Sequence, residues 1–181
     1  QKKFSSRFYN LGITEQGMIT IATGLAMNDK KVFMFSMIPF ITMRCYEHIK
    51  IDICSHKLPV TLIGIGSGLS YHNDGHSAQA TFDIGVMRML PELSIFNPSD
   101  AISAAKMCKI LSKNKEPSYI RLDKIQQKII YNKNENFNSN FKLIGRNNEI
   151  CLVSTGVMVH KCIQLAQMLK EKNIFSSVLD L

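Results

Sequence analysis

The chain of 181 residues is 45% hydrophobic and 20% charged, with a mean hydropathy near zero, a balance that excludes a fibrous or largely disordered protein. No apolar run approaches the roughly 18 residues of a membrane-spanning helix, the polar start Gln-Lys-Lys-Phe-Ser-Ser-Arg leads into no signal-peptide core, and five cysteines without CxxC spacing argue for reduced thiols in the cytoplasm and against a disulfide framework or zinc site. The net charge of +8, from 22 basic and 14 acidic residues, lacks the interleaved aromatics of a nucleic-acid groove and reads as a solvated basic face, one that would also suit anionic, phosphorylated substrates.

After Gly12-Ile13-Thr14-Glu15-Gln16, the residues Ile19, Ala22, Leu25 and Ala26 recur at helical spacing. Val32-Phe33-Met34-Phe35 reads as a short buried strand. The stretch from Phe40 to Cys54 reads as a long helix, with apolar Met43, Ile49 and Ile53 beside polar Arg44, Glu47, Lys50 and Asp52. Residues Pro59 to Ile65 form a second buried strand that runs straight into a glycine-rich loop. A helix over about Ala78 to Met89 and a strand over Leu93 to Phe96 follow. Pro98-Ser99-Asp100 supplies a helix start, with Ser99 the better cap, for a helix from Ala101 to Leu111, and Ser118 to Leu122 is one more strand. Continuous apolar strands alternating with amphipathic helices predict an α/β fold, a parallel sheet sandwiched between helix layers. Residues 126–146, rich in Asn and Lys and poor in periodicity, read as a linker. Beyond them Ile150–Ser154, Val157–Lys170 and Phe175–Leu179 make a single βαβ unit, the opening of a second α/β domain.

Three features carry potential chemistry. Glu15 stands at a loop-to-helix junction before an apolar helix, where a raised pKa would let it hold or donate a proton near neutrality. A glutamate in the first turn is also what the helix dipole favours, and the residue pattern alone prefers that plainer role. The loop from Gly64 to Ser77 lies at the carboxyl end of a buried strand, where open α/β sheets bind ligands, and carries His72, Asp74, His76 and Ser77. It contains neither GxGxxG nor GxxxxGK[ST], so it is not a phosphate loop of either kind. Arg121, at the end of a strand, could fork onto a phosphate or carboxylate or equally pair with a neighbouring helix. His48, His56 and His160 read as structural, and the methionines, at core-like spacing, as packing.

Taken in this order, the features resemble the thiamine-diphosphate-dependent transketolase family. Arg7-Phe8-Tyr9-Asn10-Leu11-Gly12-Ile13-Thr14-Glu15-Gln16 is similar to its R-F-x-N-x-G-I-x-E-Q signature, continued by Ala22-Thr23-Gly24-Leu25-Ala26. Ser36 to Arg44 resembles its aromatic segment, and Arg88 to Leu93 and Asn97 to Asp100 its R-x-x-P-x-L and P-x-D elements. Gly66-Ser67-Gly68-Leu69-Ser70-Tyr71 is nearest to the C-terminal subunit of split transketolases, and Glu149 to Leu181 resembles the start of the family's C-terminal domain. The resemblance implies a pyrimidine-binding domain over 1–125 that lacks its usual first strand and helix, the linker over 126–146, and a truncated C-terminal domain over 147–181.

It further implies that Glu15 bonds the pyrimidine N1′ of thiamine diphosphate, so that the neighbouring amine can take the thiazolium C2 proton. Phe40 would stack on the ring, with Phe35 a second candidate and Ile13 alongside. A two-carbon ketol unit would pass from a ketose phosphate to an aldose, with His72, Asp74, Ser77 and Arg121 meeting the substrate and His76 moving protons. The family usually carries D-G-P-T-H-Q in the loop, whereas Asp74-Gly75-His76-Ser77-Ala78-Gln79 puts Ala78 at the histidine position. That favours a changed substrate preference over lost activity. No GDG motif occurs, so Mg2+ (or Ca2+) and the diphosphate are expected on another chain or segment, in a homo- or hetero-oligomer that is inactive without that half. A deoxyxylulose-phosphate-synthase-like enzyme, a 2-oxoacid dehydrogenase component and a non-catalytic subunit are the alternatives.

Overall fold

Runs of Val, Ile, Leu and Phe pair into a parallel sheet flanked by helices. The computed structural model describes residues 2–135, 137, 141–146 and 149–181. Strands β1 (Val32–Met37), β2 (Val60–Ile65), β3 (Ser94–Phe96) and β4 (Ser118–Leu122) form an all-parallel sheet in the order β1-β2-β4-β3. Helices α1 (Glu15–Met27), α2 (Ile38–Ile41), α3 (Tyr46–His48), α4 (Asp83–Met87) and α5 (Ala101–Leu111) flank it. This is the expected α/β architecture.

Register decides what shares a face. Met34, Leu62 and Tyr119 lie side by side across β1, β2 and β4, and two residues on Ser36, Gly64 and Arg121 form the next row. Because side chains alternate, both rows point the same way. The first joins Ile19, Ala22 and Ala26 of α1 with Ile41, Ile49 and Ile53 in the core. Each fully buried Ile or Leu there stabilises the fold by about 2 kcal/mol. In the second row the absent side chain of Gly64 matters. A Cβ there would stand 2.7 Å from Ile38 Cγ1 and 3.0 Å from the Tyr119 ring, so only glycine lets α2 lie this close to the sheet.

Several expectations need correction. β1 is an edge strand, so Met34 is buried while Phe33 and Phe35 are exposed, rather than the whole run being covered. The expected helix from Phe40 to Cys54 is broken. Pro39 starts α2 two residues earlier, the chain loosens over 42–45, and Ile49–Cys54 winds in wide π turns after α3. The helix expected from Ala78 to Met89 shrinks to α4, preceded by a single tight turn at His76–Ala78. At α5 the cap is Asp100, whose Oδ1 accepts from Ser103 N at 2.7 Å while Ser103 Oγ accepts from Asp100 N at 3.0 Å. Ser99 is spent elsewhere, its hydroxyl donating to Asp180 Oδ2 at 2.6 Å.

The second unit holds strands β5 (Lys142–Ile144), β6 (Ile150–Ser154) and β7 (Ser176–Asp180) in the order β5-β7-β6, with α6 (Met158–Glu171) packed on β6 and β7. β6 and β7 are parallel, the predicted βαβ unit, and β5, from the stretch read as linker, adds antiparallel to β7. Asp180 receives the hydroxyls of both Ser99 and Tyr131 at 2.6 Å, tying this unit to the first. No helix among the described residues is long and apolar enough to cross a membrane.

Gly64→Ala should cost about 1–3 kcal/mol in urea unfolding, through overpacking against Ile38 and Tyr119. An unchanged midpoint would mean that α2 has room to move off the sheet.

Candidate active site

The carboxyl ends of β1, β2 and β4 gather polar and charged side chains, and Glu15 reaches them from the first turn of α1. Its carboxylate is nearly buried and bonded at both oxygens: Ser36 Oγ donates to Oε1 at 3.2 Å and Arg44 Nη1 to Oε2 at 3.0 Å. Ser36 is in place because it ends β1 on the core side. Arg44 is in place because the chain after α2 widens. Its amide bonds Pro39 O, five residues back, at 3.3 Å, and Gln16 Nε2 holds its carbonyl at 3.2 Å. The guanidinium then lies over the Phe40 ring, Cζ 4.3 Å from the centroid.

Of the two readings of Glu15, these bonds run against the raised pKa. Burial pushes the carboxyl upward and is the largest single influence. The bonds from its own backbone, Arg44 and Ser36, with the charge of Arg44, together outweigh it and hold the group below its ordinary value. Glu15 is therefore a paired carboxylate in this state of the chain.

Phe40 is thus the aromatic that shares a contact with Glu15, through Arg44. Phe35 lies in the row of Ile63 and Ile120, on the sheet face opposite Ser36, and is 60% exposed. Ile13, 96% exposed, lies in the turn before α1.

The loop after β2 folds on itself. Ser67 and Ser70 donate to the two oxygens of Asp123 at 2.8 and 2.7 Å, and Gly68 and Ala80 bridge as a short antiparallel pair. Gly66, at φ +92°, holds a backbone conformation that strains any other residue, and a Cβ there would run into the Tyr71 ring. His72, Asp74, His76 and Ser77 are all exposed along the rim, and the turn His76–Ala78 packs against α2, the helix that carries Phe40. Ala78 is buried, so the usual histidine position points inward, while His76 stands in the open.

Arg121 is fully engaged. Its fork meets Asp83 with Nε to Oδ2 at 2.8 Å and Nη2 to Oδ1 at 3.3 Å, and Tyr119 donates its hydroxyl to the same Oδ2 at 2.7 Å. Burial, then the charge of Asp83, pushes the Tyr119 phenol well above its usual range, so it stays a donor. Lys124 is an exposed cation on this rim, 4.2 Å over the Tyr71 ring and 4.0 Å from Asp74. Ser36 and Arg44 delimit the aromatic segment with no role assigned to them; Asp83, Asp123 and Lys124 carry no motif of their own, and Asp83 lies 38 positions from the arginine it binds. The spacing of Arg44 four residues after Phe40 was the one local hint of a stacked pair.

The donor set fits a planar, nitrogen-bearing ring. Arg44 already shows that the Phe40 face and the Glu15 carboxylate together accept a flat cation with N–H groups in its plane. Among the described residues no group of three or more His, Cys, Asp or Glu could hold a metal ion.

The profile of the transketolase pyrimidine-binding domain matches residues 1–128, and that of the transketolase C-terminal domain matches residues 140–181. Over 99% of its length the chain is 29% identical to a putative transketolase C-terminal section from Methanocaldococcus jannaschii and 31% identical to one of the subunits of an apulose-4-phosphate transketolase from Phocaeicola vulgatus, and it spans 58% of each. A split-gene transketolase solved as an inactive β4 tetramer superposes with a TM-score of 0.90 at 29% identity, over 99% of this chain and 58% of that one.

Arg121→Met should destabilise the fold by about 3 kcal/mol in urea unfolding, because Asp83 is left charged and buried. Tyr119→Phe should cost about 1 kcal/mol, the loss of one buried hydrogen bond. A near-neutral Arg121→Met would instead mark an arginine free to serve a ligand.

Proposed function

This chain belongs to the transketolase family, and we propose that it is the pyrimidine-binding part of a two-carbon transferase whose diphosphate half lies on another chain or segment. The observation that carries the proposal is the Arg44 guanidinium on Phe40, bonded to Glu15. It occupies the kind of site that an aminopyrimidine needs: an apolar face below and a carboxylate at the ring edge.

Thiamine diphosphate, when bound, supplies the carbanion chemistry of ketol transfer. Phe40 gives its ring a flat apolar support, and Ser36 fixes one oxygen of Glu15 so that the other faces the ring. Glu15 then holds or releases a proton at a ring nitrogen, a role for a shielded carboxyl. The rim residues His72, Asp74, His76 and Ser77 face a sugar phosphate, with His76 as the proton carrier. Arg121, locked to Asp83, holds the wall of the loop, and Lys124 is the cation available to the phosphate. Mg2+ or Ca2+ belongs to the diphosphate half, and the working enzyme is an oligomer that joins the two. The five unpaired cysteines suit the reducing cytoplasm.

The buried Ala78, with His76 exposed, supports one further reading: a subunit that keeps the fold and the ring site without turnover.

Calorimetry with thiamine diphosphate and Mg2+ tests the proposal. Binding is expected only when the chain is mixed with a diphosphate-domain subunit, and Phe40→Ala should abolish it. Glu15→Gln should leave binding measurable while two-carbon transfer falls by about 10²- to 10⁴-fold. Binding without transfer by the unaltered chain would select the subunit without turnover. Binding untouched by Phe40→Ala would defeat the ring site.

A further inference from the structure

Arg44 stands where the proposed ring would stand. Its guanidinium covers the face of Phe40 at 4.3 Å and takes the Glu15 oxygen that Ser36 leaves free. A flat ring and a flat guanidinium cannot both lie on that face of Phe40.

We propose that Arg44 is an internal stand-in for the pyrimidine ring, seated on Phe40 and bonded to Glu15 in the free chain and displaced when the ring docks. The proposal rests on the reading of Phe40 and Glu15 given above, and it deepens that reading with a resident competitor. Arg44 is fitted for the exchange. Its backbone is pinned at both ends, by Pro39 O and by Gln16 Nε2, so only the side chain needs to move. That side chain is 45% exposed, so solvent can receive the guanidinium when it leaves. A planar cation also mimics the stacking and in-plane hydrogen bonding of an aminopyrimidine more closely than an ammonium would.

The exchange couples docking to a proton. Arg44 is the charged group that bonds Glu15, and the neighbouring Cys45 thiol lies within reach of the carboxylate's charge. Burial, with the charge of Glu15 adding to it, pushes the Cys45 thiol up to about 11, so it stays neutral. Arg44 is therefore the charged partner among the groups that hold Glu15 ionised, beside its own backbone and Ser36. Once it leaves, the bond and the charge it contributed are lost, the carboxyl titrates higher, and Glu15 takes up a proton from solvent over the acidic window between its two titrations. No other bond changes.

The test follows Glu15 directly, by carbon NMR of the full chain with 13C-labelled glutamate side chains, the signal assigned through Glu15→Gln. In the free chain Glu15 should titrate below the ordinary glutamate value of about 4.3. Arg44→Met should move it upward, and Arg44→Lys, which keeps charge without a flat face, should fall between. Thiamine diphosphate with Mg2+, added to the chain assembled with a diphosphate-domain subunit, should move the wild-type signal upward as Arg44→Met does. Arg44→Met should also bind the cofactor about fivefold tighter, the competitor being gone. If the cofactor binds and Phe40→Ala abolishes that binding, yet Glu15 does not shift and Arg44→Met binds no tighter, the stand-in is overturned while the ring site survives. If binding ignores both Phe40→Ala and Glu15→Gln, the ring site fails and the stand-in with it.

Discussion

Everything at the carboxyl edge of the first sheet depends on one missing side chain. Gly64 sits between Ser36 and Arg121 in a single row across three parallel strands, and its bare backbone lets Ile38 and the Tyr119 ring close over it. That approach lays α2 across the strand ends and sets Phe40 there. It also gives the row two chemically different ends. On one side Ser36 meets Glu15, and on the other Arg121 meets Asp83. A parallel sheet places ligands at this edge because every strand points its carboxyl end there, and the loops that follow are free to vary.

Two ion pairs then divide the arginines by exposure. Arg121 and Asp83 are both withdrawn from water, and Tyr119 completes their bonding, so the pair is a fixed strut between β4 and α4. Arg44 and Glu15 have the same chemistry in an open setting, with the guanidinium half in solvent and its ring partner exchangeable. The cost of separating the first pair would be a buried, uncompensated charge, whereas Arg44 can leave into water. The difference in burial makes one pair architecture and the other a candidate for exchange.

Apolar runs and helical periodicity made the strands of the first sheet, α1, α5 and the βαβ unit legible, whereas β5 lay in the stretch read as linker. Glu15 and the loop after β2 could also be picked out, one by its place before an apolar helix and the other by its glycines and polar residues. What the sequence hid was set by distant partners. Ser99 looked like a better cap than Asp100 until Asp180, from the second unit, claimed its hydroxyl. A glutamate before an apolar helix suggested a raised pKa, and only the folded chain brings Arg44, 29 positions away, to reverse it. The break between α2 and α3 has a local contributor in the bond from Thr42 Oγ1 to Ile38 O at 2.6 Å, yet the apolar spacing runs through it unbroken. Phe33 and Phe35 read as core because periodicity cannot tell an edge strand from a central one.

The most direct test of the account is a crystal structure of this chain assembled with a diphosphate-domain subunit, thiamine diphosphate and Mg2+. The account predicts the pyrimidine ring on Phe40, a ring nitrogen within hydrogen-bond distance of Glu15, Ser36 still on the other carboxylate oxygen, and the Arg44 guanidinium off the ring. A cofactor bound elsewhere, with Arg44 still stacked on Phe40 and paired with Glu15, would contradict it.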